Sequence, residues 1–451
     1  MQADTNNQIN PAPGAKNPRI AFTTLGCRVN QYDTQAMRER FLEAGFEEVG
    51  FKAAADVYVV NTCTVTATSD QKSRQMIARA HRKNPQALIV VTGCFAQRLG
   101  ERALEIDGVG LVIGTERRAS AVRWTRDALE SAAHRRSFVA DLTEDAAFEP
   151  LSIHHMAGRT RSVMKIQEGC DKCCTYCIIP SVRGPVRSRS MDDCIEEARR
   201  LAEAGVPEII LTGIHLASYG MDLGDQDFVG QRLARLLKEL NDTCGIVRIR
   251  MGSVDPELLN EPFLAQIASL RAVCRHMHVS MQSGSAGVLK RMGRRYTPAQ
   301  YEEHIGRLRA IWPDAAVSTD VMTGFPGETE EEFSQTLRFV RKIGFTRLHV
   351  FPYSQREGTP AEKMRDQVPA AIREARARAL IAVGQAMTEE DAGRRMGGVE
   401  PVLVERSRDG FAFGRTQHDY QVKIPGQHER GSLVSCRIDG WDGKYLLGIK
   451  Q

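Results

Sequence analysis

Hydrophobic positions along this chain fall into short apolar runs separated by stretches of helical period. Between residues 19 and 130 the runs RIAFTTL, ADVYVVNT, ALIVVTG and GVGLVIG each suit one buried strand. The intervening segments 31–44 and 68–83 repeat their apolar residues as amphipathic helices do. Strands alternating with helices predict a parallel sheet covered on both faces. Residues 140–160 are polar and read as a connection. The alternation then resumes from 161 to about 361, with SVMKIQ, PEIILTG, VRIRMGS, HMHVSMQ, AVSTDVMTG and RLHVFPYS as strands and helices such as 192–204 and 297–311 between several of them. Six such βα units predict an open or partial barrel of the TIM kind rather than a complete one of eight. A helical stretch, 369–394, follows. The last 55 or so residues change character: PVLVER, FAFGRT, YQVKIP, LVSCRI and KYLLGI are short strands divided by Gly and Asp turns, a small all-β barrel or sandwich.

Composition narrows the class. With 451 residues, 42% hydrophobic and 26% charged, the chain reads as globular and as two or three domains. No apolar run approaches the roughly 20 residues a membrane span needs. The opening segment, MQADTNNQINPAPGAKNP, lacks the basic-then-apolar pattern of a secretory signal, so residues 1–17 are expected to be a disordered lead-in and the protein cytoplasmic. Eleven cysteines, odd in number and partly clustered, do not suit a secreted disulfide framework and point to metal or redox chemistry. The net charge of +5 permits nucleic-acid binding without demanding it.

The cysteines carry the chemistry. In EGCDKCCTYCIIP, Cys170, Cys174 and Cys177 stand on a loop leaving a predicted barrel strand, with a gap of three residues and then two. Three thiolates bind three irons of a 4Fe–4S cube and leave the fourth iron open; a structural zinc site would want a fourth protein ligand. Cys173 adjoins Cys174 and reads as a bystander. A second set is scattered: Cys27, Cys63 and Cys94 each follow the carboxyl end of a different predicted parallel strand. Those ends share one edge of an open sheet, where ligands bind, so cysteines about 30 residues apart are expected to converge. Taken singly, each suits a small buried hydrophobe equally well. Cys194, Cys244, Cys274 and Cys436 show no pattern and read as structural.

These motifs resemble a known family. TLGCRVNQYDTQ, VNTCTVT and VTGCFAQ, together with the CxxxCxxC loop and the β tail, are similar to the radical S-adenosylmethionine (SAM) methylthiotransferases, and the first segment most resembles their MtaB type. The resemblance covers nearly the whole chain. It implies an N-terminal methylthiotransferase domain at 18–140, a linker at 141–158, a radical SAM barrel with its following helices at 159–394 and a TRAM-like β domain at 395–451. It further implies two 4Fe–4S clusters, SAM as cosubstrate, and methylthiolation at carbon 2 of N6-threonylcarbamoyladenosine at tRNA position 37. Cys170, Cys174 and Cys177 are then the ligands of the cluster that binds and cleaves SAM, and Cys27, Cys63 and Cys94 those of an auxiliary cluster presenting sulfur. The implied partners are the tRNA anticodon stem-loop and an electron-donor protein, with a monomeric enzyme; no catalytic residue is expected beyond the cluster ligands.

Strand-end position nominates SAM contacts: Thr212, Gly213 and His215 after the second barrel strand, Ser253 and Asp255 after the third, His278 and Gln282 around the fourth, and Asp320 on the fifth. Tyr176, beside the last loop cysteine, is expected near the adenine or in the core. GFPGETE lacks the Lys-Ser/Thr of a phosphate loop and reads as a turn with a capped helix start. For RNA phosphates the basic runs nominate Arg183, Arg187 and Arg189, then Arg294 and Arg295, and in the tail Arg406 and Arg415. Alternatives left open are isopentenyladenosine in tRNA or a ribosomal protein as substrate, and a non-catalytic zinc- and RNA-binding protein.

Overall fold

The computed structural model describes residues 17–131, 135–143, 146–153 and 159–451. The expected lead-in, save residue 17, and part of the expected linker lie outside these.

The first part is a six-stranded parallel sheet in the order β2-β1-β3-β4-β5-β6. Its elements are β1 (Arg19–Thr24), α1 (Arg28–Glu43), β2 (Glu47–Glu48), β3 (Val57–Thr62), α2 (Ala67–Lys83), β4 (Leu88–Gly93), α3 (Cys94–Leu99), β5 (Val109–Ile113), α4 (Ala121–Glu130) and β6 (Arg136–Phe138). Every residue of β3, β4 and β5 is buried, because helices cover both faces. Val57 and Val59 pack with Met37, Phe41 and Trp124 on one side. Tyr58 and Val60 pack with Ile77, Ala80 and Phe95 on the other. Each large apolar side chain buried this way contributes about 1.5–3 kcal/mol. β2 and β6 escape the sequence pattern because they are short edge strands, β2 exposed and β6 partly so.

The second part comprises β7 (Arg161–Lys165), β8 (Gln167–Glu168), α5 (Ile179–Arg183), β9 (Arg187–Ser188), α6 (Met191–Glu203), β10 (Glu208–Thr212), α7 (Gln231–Asn241), β11 (Arg248–Met251), β12 (Ser253–Val254), α8 (Glu261–Ile267), β13 (His276–Val279), α9 (Ala286–Arg291), α10 (Pro298–Ile311), β14 (Ala316–Thr323), α11 (Glu330–Ile343) and β15 (Arg347–Pro352). β7, β10 and β11 pair in parallel, as do β12, β13, β14 and β15. β11 and β12 are one strand broken at Gly252, so six strands form an open arc. Alternation decides which side each residue serves. Met164, Ile209, Leu211, Ile249, Met251, Met277, Val279, Val317 and Val321 join the helices in one large core. Their neighbours Arg161, Glu208, Arg248, Arg250, His276, His278, Ser318, Asp320, Arg347 and His349 line the concave face instead, a lumen of polar groups. The GFPGETE segment is the expected capped start: Thr329 and Glu332 form a reciprocal capping box on α11.

α12 (Ala370–Arg394) packs along β15 and leads into the last part, a closed antiparallel-rich barrel of β16 (Val399–Arg408), β17 (Phe411–Arg415), β18 (Gln421–Pro425), β19 (Leu433–Trp441) and β20 (Leu446–Lys450). It seals the amino-terminal mouth of the arc. Arg248 donates to the carbonyls of Arg415 (2.7 Å) and Pro401 (2.5 Å), and Arg250 to those of Gln417 and Thr416 (both 3.1 Å). Arg161 bridges to Glu405 at 2.8 Å.

Candidate active site

The three strand-end cysteines converge. Cys27 caps α1, Cys63 follows β3, and Cys94 opens α3 directly after β4. Gly26 (φ +94°) makes the approach possible: a Cβ there would stand 2.8 Å from Cys63 Cβ and 3.0 Å from its Sγ. Asn30 locks the same corner, donating to the carbonyls of Leu25 (2.7 Å) and Thr62 (3.0 Å). The three thiols lie within each other's electrostatic reach. Burial pushes Cys94 up to about 11, although the Arg183 guanidinium, 3.1 Å from its Sγ, pulls the other way.

The second set lies on the loop between β8 and α5. Gly169 (φ +72°) starts it where any side chain would collide with the Pro185 carbonyl, 1.7 Å from its Cβ position. Cys170 N–H donates to the Gly184 carbonyl and Cys177 N–H to that of Cys174, both at 3.0 Å. Thr175 anchors the loop's middle to the carbonyls of Met292 (3.0 Å, from N–H) and Arg291 (2.8 Å, from Oγ1). Burial raises Cys177 to about 12, with Cys174 and Cys170 adding to the rise. Cys173 is exposed. Protonated thiols at these positions must release protons when iron binds.

The two sets are neighbours. Cys94 packs in one small apolar cluster with Ile178, the residue after Cys177, and with Val182. Behind them runs a buried ionic lattice that the sequence does not announce. Arg183 reaches Glu168 (3.0 and 3.1 Å), Asp33 (3.3 Å) and Asn30. Lys165 bonds Asp33 (2.7 Å) and Glu168 (3.1 Å), and Arg118 pairs with Asp33 and with Glu149 (2.9 Å). Three cations thus meet three carboxylates from both α/β parts. Although burial alone would raise Glu168 and Asp33, the surrounding Arg183, Lys165 and Arg118 charges hold both below the usual carboxylate range.

This lattice corrects part of the sequence reading. Arg183, Arg187 and Arg189 are 0%, 3% and 4% exposed, and their guanidiniums are spent on Glu168, Glu116 and Glu197 respectively. They do not meet phosphates. Arg294 is likewise committed, 2.8 Å from Asp255 and 3.5 Å from Cys174 Sγ. Arg415 is held by Asp419 at 3.0 Å. Arg295 and Arg406 are exposed. What basic runs could not reveal is an aromatic strip on the last domain. Half-buried Phe411, Phe413 and Tyr445 carry Lys423, Arg406 and Lys444 over their rings, at 4.1, 5.2 and 4.9 Å. Period-two spacing of Phe411 and Phe413 was its only sequence signal.

The nominated SAM contacts gather at the carboxyl ends of the arc. Gly213 lies against Gln167, whose Oε1 accepts the His215 N–H at 2.7 Å. Burial would raise Asp255, but nearby His215 and Arg294 hold it at about 2. Ser253 is exposed and Thr212 buried on adjoining strands. Gln282 adopts a left-handed φ of +68°, and its buried Oε1 has no partner among the described residues. A buried amide oxygen in that state is a site prepared for a donor group. Asp320 sits between His278 (3.2 Å) and His349 (3.4 Å), which outweigh burial and keep it ionised well below the usual range. Tyr176 is half-buried and packs edge-on to Phe325, with ring centroids 6.4 Å apart.

An arc of this topology with a three-cysteine loop at its carboxyl edge defines a radical SAM enzyme. Residues 164–340 match the family described as the radical SAM superfamily, and residues 19–114 match the uncharacterized protein family UPF0004. Among solved structures, the fold is similar to the radical SAM methyltransferase TsrM from Kitasatospora setae, with TM-score 0.54 over 88% of this chain and 80% of that one at 15% identity. The chain is 40% identical to the threonylcarbamoyladenosine tRNA methylthiotransferase MtaB of Bacillus subtilis, over 93% of each protein. It is 33% identical to the MtaB of Thermotoga maritima over 94% of this chain and 98% of that one. It is also 33% identical to the tRNA-2-methylthio-N(6)-dimethylallyladenosine synthase of Acetivibrio thermocellus, over 94% and 89%. The chain belongs to the radical SAM methylthiotransferases. It therefore works with SAM and 4Fe–4S clusters, two of them in this family. The two three-thiol sets, neighbours through Cys94 and Ile178, supply the soft sulfur donors that such clusters need. No helix among the described residues is long and apolar enough to cross a membrane.

Proposed function

We propose that this enzyme methylthiolates carbon 2 of N6-threonylcarbamoyladenosine at position 37 of tRNA. The observation that carries the reading is the adjacency of the two cysteine sets, joined through the buried contact of Cys94 with Ile178. Cys170, Cys174 and Cys177 hold the cluster that binds SAM, and Cys27, Cys63 and Cys94 hold the second. When bound, the first cluster supplies the electron that cleaves SAM, and the second supplies the sulfur. The chain's own residues do the positioning. Thr212, Gly213, His215, Ser253, Asp255, His278, Gln282 and Asp320 ring the carboxyl edge as the SAM-binding surface. Arg294 places Asp255 beside Cys174, and the Arg183 lattice fixes the spacing between the two sets. The RNA is held outside this chamber by Arg295, Arg406 and the Phe411–Phe413–Tyr445 strip, while the reacting base leaves its stack.

The choice among substrates follows the threonylcarbamoyladenosine relatives, which include the one at 40% identity. Nucleoside mass spectrometry of tRNA from cells lacking this protein tests it. Loss of the 2-methylthio-threonylcarbamoyl nucleoside alone is expected. Loss of the 2-methylthio-isopentenyl nucleoside instead would assign the other substrate. Anaerobically purified protein is expected to be brown, with about eight irons per chain; colourless protein with zinc would overturn the enzymatic reading.

A further inference from the structure

The lumen of the arc carries more positive charge than its own carboxylates neutralise. On its floor, Glu208 is shared by Arg250 (2.9 Å), Arg248 (3.9 Å) and Arg161 (4.0 Å). Asp419, presented by the loop after β17, is shared by Arg415 (3.0 Å), Arg250 (3.6 Å) and Arg347 (3.8 Å). Glu405 serves Arg161 and Arg415. Five guanidiniums therefore divide three carboxylates. A sixth joins them from the other side: Arg28, the first residue of α1, whose charged neighbours are Asp419, Arg161, Arg250 and Arg415. Arg28 makes no ion pair or hydrogen bond among the described residues and remains solvent-accessible. Arg347 is 39% exposed and its carboxylate contact is long. Higher on the same wall, His349 is 53% exposed, with Asp320 between it and His278.

An unpaired guanidinium is costly beside other cations unless something anionic joins it. Its location is equally telling. Arg28 directly follows Cys27, so the head of its side chain lies within one side-chain length of the place where sulfur is offered. A group held by Arg28 would be attached to the molecule being modified, on the part that points away from the reacting carbon and down into the lumen. Asp320 is already occupied by two imidazoles, whereas among the described residues the Arg28 guanidinium is unpaired and Arg347 is held only loosely, 3.8 Å from Asp419.

We infer that the lumen is an anion pocket for the free carboxylate on the base's N6 substituent, with Arg28 its principal anchor and Arg347 its second. The inference rests on the threonylcarbamoyl reading above and makes Arg28 the residue that selects this base over one with an uncharged substituent. Arg28 is a binding and positioning residue here and takes no part in bond making.

The test is equilibrium binding of reconstituted enzyme to three anticodon stem-loop RNAs. They carry N6-threonylcarbamoyladenosine, the same group with its carboxylate converted to an amide, or unmodified adenosine at position 37. Wild-type enzyme is expected to bind the carboxylate RNA one to two orders of magnitude more tightly than the amide. Arg28→Gln should erase that preference while keeping iron content and affinity for the unmodified RNA, which report an intact fold and an intact phosphate grip. Arg28→Lys should retain part of the preference, and Arg347→Gln should reduce it. An Arg28→Gln enzyme that still prefers the carboxylate overturns the inference. A wild-type enzyme that binds the threonylcarbamoyl and unmodified RNAs equally overturns the substrate reading itself, a different result from the first.

Discussion

Removing Arg183 tests whether this buried lattice is structural or an RNA contact misplaced by the sequence. The side chain is fully buried and faces Glu168 and Asp33, with Cys94 Sγ at 3.1 Å. Replacing it by methionine keeps most of the volume and deletes one of three cations, so the three carboxylates Asp33, Glu168 and Glu149 share Lys165 and Arg118. Stranding a buried charge in this way costs about 3–5 kcal/mol. For a folding unit of 150–250 residues that lowers the unfolding midpoint by roughly 6–20 °C. The assay is thermal unfolding followed by circular dichroism, with iron content measured alongside. A second change, Glu168→Gln, removes the stranded charge and is expected to restore part of the loss in Arg183→Met, giving a coupling energy of about 1–3 kcal/mol. Unchanged stability in Arg183→Met together with weakened tRNA binding would falsify the reasoning and return Arg183 to the RNA surface.

Other expectations follow from the same geometry. Cys63→Ala should halve the iron from about eight to about four per chain and abolish methylthiolation while SAM cleavage persists; product formed at the normal rate would remove Cys63 from the second set. Phe413→Ala, which takes away the ring beneath Arg406, should weaken tRNA binding by about 1–3 kcal/mol in a filter-binding assay without lowering the melting point. His276 is held at about 3 by burial, against an ordinary 6.5. The unfolded chain therefore takes up a proton below pH 6.5 that the folded chain refuses. The His276 contribution is complete above that pH and lost on acidification, up to about 5 kcal/mol by pH 3. His276→Gln should flatten this slope in urea titrations between pH 6.5 and 4, and an identical slope in both proteins would exclude His276 as its source.

The strands were readable because parallel sheets covered on both faces leave nearly unbroken apolar runs, as in VYVVNT and LIVVTG. The placement of Cys27, Cys63 and Cys94 after the carboxyl ends of three neighbouring parallel strands was readable too, since β1, β3 and β4 pair side by side. What stayed hidden depended on partners distant in the chain. RGPVRSRS looks like a basic surface until Asp33, Glu116 and Glu197 are brought to it, and nothing local to residues 183–189 signals those carboxylates. The tail's aromatic strip needed the closure of β16 to β20 before Phe411, Phe413 and Tyr445 came onto one outer face. Arg28 stands alone among uncharged residues in TLGCRVNQY, so nothing local to it signals the charged groups of the lumen.

The last domain's seat on the arc has a consequence for how substrates are sorted. Arg248 and Arg250 clasp its backbone at four carbonyls, with Glu208 between them. It is thereby a fixed jaw instead of a tethered one. The separation between the aromatic strip and the opening beside Cys27 is set when the chain folds, and it acts as a gauge. On the proposed reading, an RNA whose distance from gripped phosphates to position 37 does not match that gauge is turned away before any chemistry begins, however well its base would suit the pocket.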